Sequence, residues 1–383
     1  MSTTQSTSRS FAAPGRVNLI GEHTDYTGGL VLPMALPFVT TAEISPADAG
    51  FRFTSASFPE ARESSADDTS TANGEWSDYP LGVVREVLAL GIAVPPFALH
   101  LQSNVPLSAG LSSSAAIEVA TAVAVLQHAG ATLSEQDVAL LCQRAENNYV
   151  GSPCGIMDQF VVTAATDGHA LLLNTRDLHY DLLPMNTGGL AACSIVIANS
   201  MVKHSVATGD YGVRRRELET GQSAIREKFP QVLDLGSSSM EQLEAVRPVI
   251  THDVYLRCKH VITENARVRE AGEAMRAGDA ARLGKAMVGS HISQRDDFQD
   301  SVAEIDFLVD TALALEGCHG ARLTGGGFGG CTVNLVETAH AQAFTQALAA
   351  AYRERFAIDP EIYTCKASDG ALARLKHATE AAQ

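Results

Sequence analysis

The chain has 383 residues, 28 of them basic and 44 acidic, which gives a formal net charge of −16. This acidic balance disfavours nucleic acids and anionic membranes as partners, because both carry negative charge themselves. The sequence has no apolar run of about 18 residues and no signal-peptide pattern, so we predict a cytoplasmic protein that is neither secreted nor membrane-spanning. The seven cysteines include no Cys-x-x-Cys pair and are predicted to be reduced core residues.

The order of predicted elements favours an α+β fold over a doubly wound one. Alternation of apolar and polar residues predicts strands at 39–44, 97–101, 169–173, 194–198 and 332–336. Ser134 and Asp137 form a capping box, and apolar residues at helical spacing predict helices at 115–129, 134–149, 214–229, 261–277, 303–315 and 339–352. The polar segment 59–78 is predicted to be a mobile surface loop. Two domains are expected, 1–187 and 188–383, because Pro184 and a glycine pair interrupt the pattern there.

The most informative segment is 105–116, Val-Pro-Leu-Ser-Ala-Gly-Leu-Ser-Ser-Ser-Ala-Ala. Pro106 ends the preceding strand pattern, Gly110 lets the backbone approach a ligand closely, and a helix follows from Ala115. The first amides of a helix lack internal partners and attract anions, so the segment is suited to bind phosphate. A serine that merely caps a buried helix is the alternative.

A second segment, near the N-terminus, places Arg16, Glu22, His23 and Asp25 within ten residues. Carboxylates accept paired hydrogen bonds and histidine can donate or accept, which suits the vicinal hydroxyls of a sugar. The alternative is a turn closed by the glycine pair 28–29, with solvated charges around it. A metal site is disfavoured because no third ligand lies nearby in the sequence.

A third segment, 322–336, has five glycines among residues 325 to 330 and then an alternating strand. Such a loop can fold its backbone over phosphates or pack against another glycine loop, and a plain hairpin connection is the alternative. It is not a dinucleotide-binding fingerprint, because a strand rather than a helix follows the glycines.

In this order, the three segments resemble the signatures of the GHMP kinases, the superfamily of galactokinase, homoserine kinase, mevalonate kinase and phosphomevalonate kinase. The run at 15–26, Gly-Arg-Val-Asn-Leu-Ile-Gly-Glu-His-Thr-Asp-Tyr, resembles the galactokinase family specifically. The resemblance spans nearly the whole chain, continuing through 155–160, 203–205, 211–216, 290–298 and 367–371. It implies a two-domain GHMP kinase fold of mixed sheets and packed helices, with the active site between the domains. It also implies transfer of the γ-phosphoryl group of ATP to the C1 hydroxyl of α-D-galactose, with Mg²⁺ as cofactor.

The resemblance implies a role for individual residues. Asp158 matches the catalytic base and Arg16 the cation beside it; whether Asp158 removes the proton fully or mainly positions the hydroxyl is left open. The Mg²⁺ ligands are expected at Ser114 and Glu146. The ATP-binding loop is expected to comprise Ser108, Ala109, Gly110, Leu111, Ser112, Ser113 and Ser114. The sugar-binding residues are expected to comprise Glu22, His23, Thr24, Asp25, Gly155, Asp158 and Tyr211.

Some residues depart from the family pattern or admit a second interpretation. Ser108 stands where many relatives have glycine, and Thr27 stands where asparagine is common. Tyr211 is equally compatible with an apolar wall of the sugar site. The arginine triple at 214–216 is predicted to form ion pairs with Glu217 and its neighbours rather than a phosphate clamp.

Two functional alternatives accompany the kinase hypothesis. A sibling kinase acting on N-acetylgalactosamine or arabinose would keep the phosphate loop and the base while altering the sugar pocket. A galactose sensor would bind sugar and ATP and regulate through a protein partner, having lost loop residues. The intact run 112–116, together with Arg16 and Asp158, disfavours the sensor. The expected partners are galactose and ATP, and the expected assembly is a monomer or weak homo-oligomer.

Overall fold

The structure is a computed structural model that describes residues 8–106, 109–203 and 207–381, the side chains of 203 and 207–211 excepted. The strands are β1 (Arg9–Asn18), β2 (Leu30–Val31), β3 (Pro33–Pro46), β4 (Phe51–Ser55), β5 (Arg62–Ser64), β6 (Phe97–Ser103), β7 (His169–Asn174), β8 (Tyr180–Pro184), β9 (Cys193–Lys203), β10 (Cys318–Thr324), β11 (Gly329–Glu337) and β12 (Glu361–Cys365). The helices are α1 (Asp78–Ala89), α2 (Ser113–His128), α3 (Glu135–Arg144), α4 (Met157–Ala164), α5 (Ala207–Lys228), α6 (Met240–Val246), α7 (His252–Ala277), α8 (Ala280–Ser293), α9 (Ala303–Ala314), α10 (Ala341–Phe356) and α11 (Ala371–Ala381).

The described strands form one mixed and two antiparallel sheets against which helices pack, which confirms the predicted α+β class. The first sheet has the order β1-β3-β6-β4-β5, in which β4 and β6 are parallel and the other neighbours are antiparallel. The second, antiparallel sheet has the order β10-β11-β9-β12, and the third has the order β2-β7-β8. The predicted strands all lie inside observed ones, because period-2 alternation marks strands that bury one face.

Helices pack onto these sheets through clusters of apolar side chains. In the first half of the chain, up to the predicted boundary at residue 187, Phe53 and Phe97 pack with Val119 of α2 and Phe160 of α4. In the second half, β9, β10 and β11 pack against α9 and α10 through an apolar cluster that includes Tyr352. Burying each such side chain stabilises the fold by about 1.5–3 kcal/mol.

A further cluster joins the two halves, since it combines Leu19 and Met34 with Ile197, Met287 and Val333. The last helix, α11, also returns to the first half and packs against α4 and β1. The domain boundary at 187/188 stays a prediction.

The predicted helices are confirmed, with large shifts at two starts, of which one is at α5, where the helix begins at Ala207 rather than at 214. Helix α7 begins at His252, nine residues before the predicted start, with Thr251 accepting a hydrogen bond from the amide of Val254. Its first turns bury polar side chains such as Arg257, which is 2 % exposed and pairs with Glu217. Because those polar residues are buried, the apolar periodicity of the first turns is hidden in the sequence.

Two local predictions need correction or refinement. Segment 59–78 is not all loop, because it contains β5 and ends at the start of α1, where the Asp78 carboxylate accepts the amides of Asn73, Gly74 and Glu75. The Ser134 hydroxyl accepts the amide of Asp137 as predicted, but it also donates to the Asp137 carboxylate.

The ion-pair prediction for the arginine triple is confirmed by two pairs at the start of α5. Arg214 pairs with Glu217 at 3.2 Å and Arg215 with Glu219 at 3.6 Å.

All seven cysteines are free, four of them buried and three half-buried. Among the helices of the described ranges, none has the length and apolarity that a bilayer crossing requires.

Candidate active site

A cavity of about 610 Å³ lies between the first half of the chain and the glycine-rich loop that joins β10 to β11. Its lining comes from four segments that are far apart in sequence: β1 with the turn that follows it, the residues just before and within the first turn of α4, Gly212 of α5, and Gly325 to Gly327. Arg16, Glu22, His23, Asp25, Gly155 and Asp158 all line this one cavity. The structure therefore brings together both predicted catalytic residues and five of the seven predicted sugar-binding residues.

Arg16 and Asp158 form a two-pronged ion pair at the cavity. The Arg16 Nε and Nη2 atoms donate to the two Asp158 carboxylate oxygens at 2.8 and 2.7 Å. Nη1 donates to the carbonyl of Gly110 at 2.6 Å, which joins the pair to the predicted phosphate loop. Asp158 lies in the first turn of α4, where the helix dipole favours a negative charge. Such a fork is geometrically specific and holds both partners in place.

The phosphate loop leads into α2 without a side-chain cap. Ser112 occupies the N-cap position with φ of 59°, and its hydroxyl donates to the Asp158 carboxylate instead of accepting a helix amide. The alternative of a simple serine cap is therefore wrong, and the uncapped first turn is suited to an anion. Ala109 and Leu111 are buried, and their carbonyls accept hydrogen bonds from the Cys331 thiol and the Arg16 amide. Ser113 and Ser114 are the first two residues of α2.

Two predicted site residues cannot be placed by their side chains. Ser108 and the side chain of Tyr211 lie outside the described residues.

Glu22 is held by the glycine-rich segment. Its Oε1 atom accepts from the Gly325 amide at 2.9 Å, the Thr324 hydroxyl at 3.2 Å and Arg322 Nη1 at 3.3 Å. The carboxylate is thus fixed in a buried position at the cavity.

His23 is held by protein groups at both ring nitrogens. Nε2 contacts the Asp300 carboxylate and Nδ1 contacts the Tyr26 hydroxyl, each at 2.9 Å. The ring stacks on Phe298 with 4.0 Å between centroids, and the residue has φ of 62°. These contacts fix the imidazole edge that faces the cavity.

Asp25 and Gly155 pack tightly together. A Cβ added at Gly155 would lie 2.7 Å from Asp25 Oδ1 and closer still to its other carboxylate atoms, so only glycine fits there. Burial raises the pKa of Asp25 to about 6, and the nearby charges of Asp158 and Glu22 add to the increase. A sugar hydroxyl that donates to Asp25 would offset this penalty.

Thr24 does not line the cavity. Its hydroxyl donates to the carbonyls of Gly21 and Leu30, so it shapes the turn between β1 and β2.

Glu146, an expected metal ligand, belongs to a buried pair of carboxyl groups, of which the other is Glu118. Glu146 lies in a π-helical turn, Ala145–Val150, and contacts Gln159, whose amide nitrogen donates to Glu146 at 2.7 Å and to Glu118 at 3.0 Å. Burial raises the pKa of both Glu146 and Glu118. In the part of the chain that the structure describes, no three His, Cys, Asp or Glu side chains form a ready metal cage. A cation at Glu146 would need ligands from a substrate and water as well.

The glycine-rich loop packs against the phosphate loop, one of the two roles predicted for it. The thiol of Cys331 donates to the carbonyl of Ala109 at 2.9 Å, and a Cβ added at Gly325 would lie 3.6 Å from the carbonyl of Gly110. The amide of Phe328 donates to the carbonyl of Asp300 at 2.6 Å, and so links the loop to the His23 partner.

Comparison with known proteins places the chain among the sugar kinases. Family models match at residues 2–46 (galactokinase galactose-binding signature), 78–166 (GHMP kinases N terminal domain) and 272–354 (GHMP kinases C terminal). The galactokinase of Homo sapiens is 40 % identical over 372 residues, covering 94 % of this chain and 91 % of its own. The chain belongs to the galactokinase family. The galactokinase of Roseiflexus sp. is 40 % identical over 359 residues, with the same coverage of both chains.

Solved structures agree with this galactokinase membership. The galactokinase of Lactococcus lactis, solved in complex with galactose, superposes with a TM-score of 0.91 at 29 % identity, covering 96 % of this chain and 95 % of its own. The mevalonate kinase of Methanococcus jannaschii superposes with a TM-score of 0.68 at 18 % identity over 95 % of this chain and 100 % of its own, and so shares the GHMP fold.

Several residues around this galactokinase-family site were not found from the sequence. They are Glu118, Gln159, Asp300, Arg322 and Thr324, and each contacts a predicted site residue or its neighbour. Of these residues, only Glu118 could have been found from the sequence, because it is a glutamate in the largely apolar α2 and an unpaired charge is rarely buried.

Proposed function

We propose that this chain is an ATP-dependent galactokinase, which transfers the γ-phosphoryl group of ATP to the C1 hydroxyl of α-D-galactose and yields α-D-galactose 1-phosphate and ADP. The observation that carries the proposal is the Arg16–Asp158 pair, which lines the same cavity as Glu22, His23 and Asp25. The galactokinase of known structure shares the fold of this chain, and the galactokinase relatives align with almost its whole length.

The proposed chemistry requires a proton acceptor beside a cation. A sugar hydroxyl is a weak nucleophile at neutral pH, so Asp158 would accept its hydrogen bond and receive its proton. Arg16 would hold the carboxylate in place and offset the negative charge on the transferred group. The Ser112 hydroxyl donates to the same carboxylate and supports its orientation.

Sugar recognition is proposed for the acidic cluster at the cavity. Glu22 and Asp25 would bind galactose hydroxyls, with Gly155 leaving room for the Asp25 carboxylate. His23, whose ring nitrogens both contact protein groups, would contribute to the wall of the sugar site. A buried acceptor that loses its sugar hydroxyl is left unpaired, which penalises a sugar with the wrong stereochemistry at C4.

ATP is proposed to bind at residues 108–114 and the uncapped start of α2. Ser114 and Glu118 are four residues apart on α2 and therefore share a face, and Gln159 joins Glu118 to Glu146. Hard oxygen donors of this kind suit Mg²⁺, which binds proteins through few ligands and takes the rest from phosphates and water. Mg²⁺ would be held by Ser114 and Glu146, and when bound it supplies positive charge to the phosphates.

The free state of all seven cysteines supports a cytoplasmic location.

The test measures ADP release from Mg²⁺-ATP with galactose, N-acetylgalactosamine, arabinose, glucose or no sugar. Galactose-dependent release is expected, and Arg16→Ala and Asp158→Asn are each expected to reduce turnover by roughly 100-fold or more. The control Asp167→Asn makes the same change at an exposed carboxylate just beyond α4 and should retain wild-type turnover.

Each competing function has its own outcome in this assay. Turnover with another sugar alone would assign the chain to a sibling kinase. Galactose binding without ADP release would favour the sensor. Near-normal turnover by a folded Asp158→Asn protein would remove Asp158 from catalysis.

A further inference from the structure

The hydrogen bonds of the Glu22 carboxylate come from one segment of the second half of the chain. Arg322, Thr324 and Gly325 each donate to the same atom, Glu22 Oε1. In the part of the chain that the structure describes, Oε2 of Glu22 has no hydrogen-bond partner, and the residue lines the cavity. The two oxygens are therefore in different situations: one is saturated by protein donors, and the other is available to a ligand.

The donors are rigid and removed from solvent. Arg322 and Thr324 are 0 % and 3 % exposed. Both lie on β10, which pairs with β11 so that Thr324 is opposite Cys331. Gly325 has φ of 94°, a conformation that favours glycine and turns its amide to Glu22. Donors on a paired strand hold an acceptor more precisely than donors on a loop would.

We propose that Thr324 is a positioning residue for sugar specificity, which acts with Arg322 and the Gly325 amide to hold Glu22 so that Oε2 meets a galactose hydroxyl. The inference rests on the proposed function, because it takes Glu22 as a sugar ligand. It gives the start of the glycine-rich segment a role in sugar binding in addition to its packing against the phosphate loop.

The size of the effect follows from the hydrogen bonds of Thr324. Its single hydroxyl hydrogen is shared between Glu22 Oε1 at 3.2 Å and the carbonyl of Asn18 at 3.0 Å. The other two donors to Glu22 remain when this hydroxyl is removed. Losing one shared hydrogen bond is expected to weaken galactose binding by about two- to tenfold.

The experiment measures galactose dissociation constants by calorimetry without nucleotide, and then KM for galactose, KM for ATP and kcat. Thr324→Val removes the hydroxyl while keeping the shape and is expected to raise the galactose Kd and KM with the ATP KM within about twofold. Thr324→Ser restores the hydroxyl and is expected to restore galactose binding.

Thr332→Val is the matched control. Thr332 is also fully buried, lies on the paired strand β11 and accepts one hydrogen bond, from Asn334 at 3.1 Å. The Thr332→Val variant makes the same substitution at a residue that does not contact Glu22, and it should leave the galactose Kd unchanged.

A double-mutant cycle with Glu22→Gln separates positioning from general destabilisation. If Thr324 acts through Glu22, the effect of Thr324→Val is reduced in the Glu22→Gln background, so that the two effects are not additive. Additive effects, an unchanged Kd in Thr324→Val, or equal weakening by Thr332→Val would each overturn the inference. If Thr324→Val does not fold in a thermal melt, Thr324→Ala takes its place in the same cycle. Failure of the wild-type protein to bind galactose would overturn the proposed function itself, and the inference with it.

Discussion

Substitution of Gly155 by alanine tests the packing at the centre of the cavity. The backbone of Gly155 is outside the left-handed region, so alanine brings no backbone strain. Its Cβ would instead overlap the Asp25 carboxylate, which must move by roughly 1 Å or more to escape. Overpacking of this kind costs about 1–3 kcal/mol of stability. A displacement of about 1 Å in a positioned binding group is expected to reduce kcat/KM for galactose by roughly 100-fold.

The assay for Gly155→Ala combines a thermal melt with galactose-dependent ADP release. Gly289→Ala is the control: it lies inside α8, where the added Cβ meets only the flexible Arg267 side chain at 3.3 Å. Because alanine is the better helix former by about 0.8–1 kcal/mol, the control should retain stability and galactose kinetics. A folded Gly155→Ala protein with kcat/KM for galactose within about twofold of wild type would refute the packing argument.

Two further predictions concern pH and the buried carboxyl pair. The pKa of Asp25 is raised from 3.8 to about 6, so the folded protein binds a proton more tightly than the unfolded chain. Stability of the ligand-free protein should therefore fall as pH rises between about 4 and 6, and Asp25→Asn should flatten that part of a melting-temperature profile; an unchanged slope would contradict the assignment. Gln159→Leu removes the donor shared by Glu118 and Glu146 and should cost about 1–3 kcal/mol in denaturant unfolding. The same variant should need more Mg²⁺ for half-maximal ADP release, and an unaltered Mg²⁺ titration would speak against a link between Gln159 and the proposed metal ligand Glu146.

The sequence predicted those parts of the site whose residues are close together in the chain. Arg16, Glu22, His23 and Asp25 are within ten residues, and the turn after β1 carries three of them directly to the cavity. The strands and the glycine-rich loop could also be predicted, because the alternation of apolar and polar residues and the run of glycines each lie within a short segment of the sequence.

Contacts that depend on long-range folding were not visible. Asp300 reaches His23 across 277 residues and belongs to no motif that the sequence singled out. Glu118 lies in an apolar helix, and its partner Gln159 is 41 residues away. The ligand contact of Thr24, suggested by its place inside a charged motif, stays a prediction, and the turn directs its hydroxyl to backbone carbonyls.

The apolar cluster that joins the two halves has a consequence for cooperativity. Leu19 and Met34 from the first half are fully buried against Ile197, Met287 and Val333 from the second. Each half also has an apolar cluster of its own, but unfolding of either half would expose the part of the other that belongs to the shared cluster. The chain is therefore expected to unfold as one cooperative unit, and a fragment ending at residue 187 would expose that surface to water and be prone to aggregate.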